Sequence, residues 1–278
     1  MALTKIGTEG ITGVSNSSDA TAITIDSSER VGIGTTTPDT LLVLSKTDSG
    51  TTVNKDITST NGPVLTIHNP DQTDNNLSSI QFTSRGTNNA AEMASAGIHV
   101  VHEDQGGTYS IGSMGLYTTN SAGTYQNNLN IDSNGHVLMA RQPAFLVQPA
   151  SEQADIPINA VTVIVFGTER FDQNGDFASN TFTAPVTGKY LLTVHLYTTQ
   201  NHSSTSYFGC RISTSNRNYE NIMDPDTNDG NNAFSHVLSI VADMDANDTA
   251  VVSLNVPNSG SAQTDISTSS FFSGALIC

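Results

Sequence analysis

The segment DPDTNDGNN, at 224–232, comes closest to a metal-binding pattern in residue type and spacing. Asp224 and Asp226 alternate as the first ligands of a calcium-binding loop do. The twelfth position of such a loop needs a bidentate Glu, however, and this chain has Ser235 there, which excludes an EF-hand. Two interpretations of this segment stay open. One is a surface calcium site formed by Asp224, Asp226 or Asp229, and the other, which is favoured, is a solvated loop without a metal. No other cofactor is expected.

Motifs for phosphate binding or catalysis are weak in this sequence. Gly32 and Gly34 match the first two glycines of a dinucleotide-binding loop, but Thr37 replaces the third, so both glycines are better explained by turns. The seven His residues show no HxxxH or HExxH spacing, and no G-x-S-x-G segment occurs. Asp172 and Asp176 offer a carboxylate pair of the kind that hydrolyses glycosides, although any acidic chain supplies such pairs. We therefore expect that the protein is not an enzyme.

Aromatic and amide side chains in the polar loops of the second half are candidates for receptor contact. They are Tyr207, Tyr219, Asn201 and His202. Sugar binding commonly combines aromatic faces with adaptable polar groups, which these loops supply. The chain has no Trp, and burial of the two tyrosines in the core or at a subunit interface is the favoured alternative.

Composition limits the partners of the protein. Its 278 residues carry a formal net charge of −16, and the pI is about 4.4. Such a surface repels nucleic acid and anionic lipid, so neither partner is expected. The first ten residues lack the apolar region of a signal peptide, and no apolar run approaches the roughly eighteen residues of a membrane span. We expect synthesis in a reducing cytoplasm, with Cys210 and Cys278 as buried apolar thiols rather than a disulfide.

Short apolar runs separated by turn residues fill the first half of the chain. We predict strands at VGIG (31–34), LLVL (41–44), VLTIH (64–68), SIQF (79–82), GIHVV (97–101), IGSMGLY (111–117), LNID (129–132) and HVLM (136–139). Ordering each residue costs on the order of 1–2 kcal/mol, which such short runs with few aromatics do not offset in one copy. The sequence therefore predicts an extended attachment segment over 1–25 and an oligomeric β-rich shaft over 26–140.

Longer alternating strands follow in the second half. In GKYLLTVHLYT (188–198), Tyr190, Leu192, Val194 and Leu196 share one face, and DTAVVSLNVP (248–257) alternates in the same way. About eight such strands occur after Pro143, a number that fits a two-sheet antiparallel jelly roll. We therefore predict an all-β protein, in which a shaft is followed by a jelly-roll head domain over 141–278.

Several segments of the second half resemble the globular head of complement component 1q and the related tumour-necrosis-factor-like jelly rolls. They are PAF (143–145), IVF (164–166), GDF (175–177), FTAPVTGKYLL (182–192) and FFSGALI (271–277), in the order of the family. The chain departs from the family pattern at MDANDT (244–249), where an acidic-Gly-Asp turn is usual. The resemblance implies a compact homotrimer.

The first half resembles the shafts of phage tail fibres. The segments that carry this resemblance are ITIDSSERVGIGTTTPDTLLVL (23–44) and NIDSNGHVLM (130–139). The resemblance implies a virion protein, made in the host cytoplasm and attached to other tail or capsid proteins through its N-terminal segment.

The two resemblances together predict a homotrimeric phage tail fibre whose head binds a host-surface glycan or protein. The main alternative is a head fibre or a capsid or tail decoration protein, in which the trimerising head is purely structural. A depolymerase spike is a third, enzymatic alternative.

Overall fold

The computed structural model describes residues 23–46, 63–85, 93–104, 111–225 and 232–278. All regular elements in these ranges are β-strands, which confirms the all-β prediction. The chain divides into two compact units, residues 1–73 and 74–278. The predicted attachment segment lies outside the described residues as far as residue 22.

The first unit contains a small three-stranded sheet. Its strands are β1 (Ile23–Ile25), β2 (Val31–Ile33) and β3 (Leu42–Leu44); β2 pairs antiparallel with β1 and parallel with β3. The predicted strand at 64–68 is wrong, because this segment forms no regular structure. Pro63 and Pro70 flank it, and proline cannot donate a hydrogen bond to a neighbouring strand.

The second unit begins with a five-stranded antiparallel sheet, called the meander sheet below because its strands pair in chain order. The strands are β4 (Asn76–Ser84), β5 (Met93–Asp104), β6 (Ile111–Thr119), β7 (Tyr125–Ile131) and β8 (Val137–Leu138). The remaining predicted runs of the first half all overlap strands of these two sheets.

One turn design closes three hairpins of the first half. Asp26, Asn120 and Asp132 each begin a turn, between β1 and β2, β6 and β7, and β7 and β8. In every case the side-chain Oδ1 accepts the backbone N–H groups two and four residues later, at 2.9–3.0 Å. Because Asp and Asn side chains satisfy backbone donors in this way, the segments 23–44 and 130–139 contain the same local structure.

A side chain four residues later also contacts the carboxylate in two of these turns. Arg30 Nη2 lies 2.6 Å from Asp26 Oδ2, and His136 Nδ1 lies 2.9 Å from Asp132 Oδ2. These contacts are the largest cause of a lowered pKa at Asp26 and at Asp132. Both carboxylates therefore stay ionised as acceptors well into the acidic range.

The fourth residue of each turn has a left-handed backbone, and Gly135 adopts φ 85° there. We expect Gly135→Ala to lower the free energy of unfolding by about 1 kcal/mol, because a Cβ is strained in this region. No atom lies within 4 Å of that Cβ, so steric collision adds nothing. Urea unfolding at neutral pH measures the loss. Ser133→Ala, two residues earlier in the same turn, is the control, and equal effects from both changes would contradict the argument.

The C-terminal part of the second unit is a sandwich of two six-stranded sheets, which confirms the jelly roll. The first sheet contains β11 (Thr168–Gln173), β9 (Ala144–Gln148), β20 (Phe271–Leu276), β14 (Gly188–Asn201) and β17 (Asn232–Met244), with β19 (Asp265–Ile266) beside β14. The second contains β12 (Phe177–Ala178), β13 (Thr181–Thr183), β18 (Thr249–Asn255), β15 (Phe208–Thr214) and β16 (Asn218–Met223), with β10 (Val161–Val163) beside β18.

The chain passes back and forth between these sheets, as a jelly roll requires. From β14 it moves to β15 and β16 in the opposite sheet, returns to β17, crosses again to β18 and ends in β20. The structure describes twelve strands where about eight were predicted. Of the four additional strands, β12 and β19 are two residues long and too short to show a period, and β11 and β16 are six residues long but rich in polar side chains.

The two segments that carry the family resemblance occupy the centre of the sandwich. Phe182 of FTAPVTGKY and Phe272 of FFSGALI are buried, and both rings contact Phe145, at centroid distances of 4.7 and 5.0 Å. The Tyr190 hydroxyl donates to the carbonyl of Val186 at 2.7 Å, which holds the turn before β14. These contacts fix the start of the longest strand, β14, against the core.

A backbone hydrogen bond of Cys278 holds the end of β20 against β14. The Cys278 carbonyl accepts the N–H of Lys189 at 2.7 Å, next to β20. Cys210 is buried, and burial raises the pKa of its thiol to about 12. Cys278 is exposed, so the prediction of two buried thiols is right for Cys210 and wrong for Cys278, because β20 ends at Leu276. Both cysteines are free.

Candidate functional site

One face of the sandwich points away from the core and is called the outer face below. On β14 it is formed by Leu191, Thr193, His195 and Tyr197, because the residues between them are fully buried. The cross-strand partners of these four residues complete it: on β17 Val241, Ser239, Val237 and Ser235, and on β20 Ala275, Ser273 and Phe271.

The outer face is uncharged and partly apolar. None of its eleven residues is Asp, Glu, Lys or Arg. Leu191, Val237 and Val241 are exposed to 42%, 54% and 56%. His195 lies among them: its Nε2 is 3.2 Å from Ser235 Oγ, and its buried Nδ1 has no partner in the described ranges.

The meander sheet also carries an apolar face, called the meander face below. Two rows of cross-strand neighbours form it: Ile80, Ile98, Leu116 and Leu129, and then Val100, Met114, Ile131 and Val137. Four of these side chains are more than 40% exposed, and Val137 reaches 58%. In β6 the pattern of a soluble sheet is inverted, because the apolar Met114 and Leu116 are exposed while Ser113, Gly115 and Tyr117 are buried.

The opposite side of the meander sheet holds a cleft of about 440 Å³. Three rings form its aromatic wall: the centroid of Tyr125 lies 4.5 Å from that of Tyr117 and 5.8 Å from that of His99. The Tyr125 hydroxyl is hydrogen-bonded to His99 Nδ1. Burial raises the pKa of Tyr125, so this hydroxyl stays protonated at neutral pH.

Gly97 makes this aromatic wall sterically feasible. A Cβ at Gly97 would lie 2.5 Å from the Tyr117 hydroxyl and 2.5 Å from the carbonyl oxygen of Ile80. The glycine therefore leaves room for the Tyr117 ring to lie across its neighbouring strand. No pattern in the sequence predicted this cleft. The available signal was Gly97, a glycine inside a strand and two residues before His99.

The four predicted receptor-contact residues lie in different environments. Asn201 is fully buried, and its Nδ2 donates to the carbonyl of Asn232 at 2.7 Å, so it offers no surface to a receptor. His202 is partly buried, and its Nδ1 accepts the N–H groups of Ser204 and Gly260 at 3.0 and 3.2 Å. The ring of His202 therefore organises two loops.

The two tyrosines are also partly buried. Tyr219 packs against the hydrophobic core, and the Tyr207 hydroxyl accepts Asn255 Nδ2 at 3.5 Å. The structure thus does not gather Tyr207, Tyr219, Asn201 and His202 into a common pocket among the cavities of the described chain.

A buried polar cluster lies beside Asn201. His236 is 1% exposed, and its Nε2 lies 3.2 Å from Thr198 Oγ1, which also accepts Asn201 Nδ2 at 3.1 Å. Burial, with a smaller contribution from His195, lowers the pKa of His236 from 6.5 to about 4. This histidine is therefore neutral at physiological pH.

The predicted calcium site is only partly described. Asp224 is exposed, whereas Asp226 and Asp229 lie outside the described residues. Within the ranges that the structure describes, no three His, Cys, Asp or Glu side chains are grouped to hold a metal. The calcium site therefore stays a prediction.

The carboxylate pair singled out for glycoside hydrolysis shapes a turn. The two carboxylate oxygens of Asp172 accept the N–H groups of Asp176 and Phe177, at 3.1 and 3.0 Å. Burial, followed by the charge of Asp172, raises the pKa of Asp176. These contacts close the loop between β11 and β12.

Comparison with known proteins yields similarity to solved structures over about half the chain. The globular domain of zebrafish complement 1qA protein matches with 18% identity and a TM-score of 0.39, over 49% of this chain and 98% of that one. Murine APRIL matches with 14% identity and a TM-score of 0.36, over 49% and 99%. No family model and no curated protein matches the sequence. At these values the strand order itself remains the evidence for the jelly roll.

None of the described residues belongs to a helix long and apolar enough to span a membrane.

Proposed function

We propose that the protein is a homotrimeric fibre of a phage virion, with the meander sheet in its shaft and the sandwich as its head. The observation that carries this proposal is that two sheets of one chain each have an uncharged face with exposed apolar side chains. Monomeric soluble proteins rarely expose contiguous apolar patches above a few hundred Å². Both faces therefore need a partner of matching chemistry.

Other copies of the same chain are the best partner for these faces. A chain with a net charge of −16 repels its own copies except where charge is absent, and the outer face and the meander face are such places. Three sheets around one axis form a closed prism in which each apolar face contacts the other two, so no face stays open. The resemblance of the second half to trimeric heads also supports three copies.

In this proposal the protein acts by holding three heads at a distance from the virion, where they can contact the host surface. The shaft sets distance from the virion, and three tethered heads bind a host-surface glycan or protein more tightly than one head does, through avidity. The N-terminal segment attaches the trimer to other tail or capsid proteins, which places the protein in the virion. No catalytic step and no cofactor form part of the proposal.

A purely structural head is the second candidate, as in a head fibre or a capsid or tail decoration protein. Asn201 and His202 favour it, because Asn201 is fully buried and Nδ1 of His202 accepts N–H groups of two loops of the same chain. Adherence to host cells of the purified full chain and of its Tyr207→Ala variant separates the two candidates. Weaker adherence of the variant supports a receptor-binding head, and equal adherence supports a structural head.

Light scattering of the full chain tests the oligomer directly. At micromolar concentration we expect three times the chain mass of 29.3 kDa, because burial of both apolar faces outweighs the entropy of association. A monomer at that concentration would contradict the fibre proposal.

A further inference from the structure

We propose that the cleft of the meander sheet binds a neutral saccharide. The saccharide would be the ligand through which the fibre attaches to its host, so this proposal rests on the function proposed above. It also moves the attachment site from the head loops to the shaft. Three features of the cleft support this proposal: the aromatic wall, the polar side chains that line the cleft with it, and the absence of charged residues from the lining.

The aromatic wall offers a stacking surface. Tyr125 is 50% exposed, and its ring is held from behind by Tyr117 and by the hydrogen bond to His99. A ring that is fixed before binding loses little conformational entropy when a ligand arrives. The C–H face of a pyranose ring packs against such an aromatic face, which supplies the apolar part of the contact.

Polar side chains line the same cleft on β4 and β6. They are Ser79, Gln81 and Thr119. In the described chain, the side chains of Ser79 and Gln81 have no hydrogen-bond partner, and the Thr119 hydroxyl, which donates to the carbonyl of Ala94, keeps its acceptor sites. Amides and hydroxyls both donate and accept, as the neighbouring hydroxyl groups of a sugar require.

The lining selects against charged ligands. No Asp, Glu, Lys or Arg contributes to the cleft, so a carboxylate or a phosphate finds no counter-charge there. The acidic chain as a whole repels anions. A neutral sugar therefore fits better than a sialic acid, a uronic acid or a phosphorylated sugar.

The position of the cleft leaves it open to such a ligand. Side chains alternate across a strand, so the residues of the cleft and those of the meander face point to opposite sides of one sheet. If the meander face is buried among copies, the cleft faces solvent. Its volume of about 440 Å³ lies within the range of small-molecule sites.

Saturation-transfer NMR on the full chain tests the proposal. The probes are methyl α-glucoside, methyl α-galactoside and N-acetylglucosamine, with sialyllactose as the anionic comparison. We expect at least one neutral probe to bind, and sialyllactose to give no signal from its sialic acid. Tyr125→Ala should weaken the affinity for the neutral probe about tenfold, because one stacking contact is lost. Gln81→Ala, at an exposed position, should weaken it about fivefold, because one hydrogen bond is lost.

Ile222→Ala is the control, since it removes a large side chain of the head that is 61% exposed and lies outside the cleft; it should bind as the unaltered chain does. The proposal is overturned if no neutral probe binds, if Gln81→Ala and Tyr125→Ala both bind normally, or if Ile222→Ala alone abolishes binding. Light scattering on the same samples separates the two proposals. A trimer that binds no neutral sugar removes only the saccharide site, and a monomer that binds one removes only the fibre.

Discussion

Val237→Asp should convert the proposed trimer into monomers. Val237 lies in the middle of the outer face, 54% exposed in the single chain and paired across strands with His195. Burial of a carboxylate without a counter-charge costs several kcal/mol, and a threefold axis brings three such charges near one another. Light scattering at micromolar concentration should therefore show the mass fall from three chains to one, with the sandwich still folded by circular dichroism.

Val161→Asp provides a closely matched control. Val161 is 53% exposed, but it lies on β10 in the opposite sheet of the sandwich. The same substitution at the same exposure should leave the trimer intact, because no copy covers that position in the proposal. If Val161→Asp dissociates the trimer while Val237→Asp does not, the outer face is not the interface.

The alternation of the long strands was the most reliable signal in the sequence. Tyr190, Leu192, Val194 and Leu196 were predicted to share a face, and all four are fully buried. The prediction succeeds because β14 is fourteen residues long and packs one side against a continuous core. In such a strand a shift by one residue would expose every apolar side chain, so pattern and structure must agree.

The features that sequence reasoning missed depend on neighbours distant in the chain. The cleft requires the pairing of Gly97 with Tyr117, two positions on different strands that no local pattern connects. Asn201 was expected at the surface because it lies in the Asn/Ser-rich segment 200–206, yet it is buried where β14 pairs with β17. Strand register decides both outcomes, and register is not visible from composition or period.

The opposite error occurred at 64–68. VLTIH has the composition of a strand, but in the described ranges no other strand pairs with it, and Leu65 is 66% exposed. A strand needs a partner for its backbone groups, so composition alone overpredicts strands wherever prolines interrupt the pairing.

His236 should make the head sensitive to mild acid. Its pKa is about 4 in the folded protein and 6.5 in its ordinary state, so between these values the unfolded chain binds a proton that the folded chain does not. The contribution of His236 to stability is therefore complete above pH 6.5 and is lost as the pH falls towards 4. The full loss amounts to about 3 kcal/mol. Urea unfolding at pH 7.0 and pH 4.5, at one protein concentration, measures most of it.

His236→Gln removes this titration while keeping a polar group near Thr198, so its free energy of unfolding should fall less between the two pH values. His68→Gln, at an exposed position of the first unit, is the control and should follow the unaltered chain. Carboxylates also titrate in this range, but they are common to all three proteins and cancel in the comparison. An equal fall for His236→Gln and the unaltered chain would mean that His236 is solvated when protonated. His236 on β17 is 1% exposed, and its ring lies 5.1 Å from that of Phe208 on β15 in the opposite sheet, so such solvation would require the two sheets to separate there.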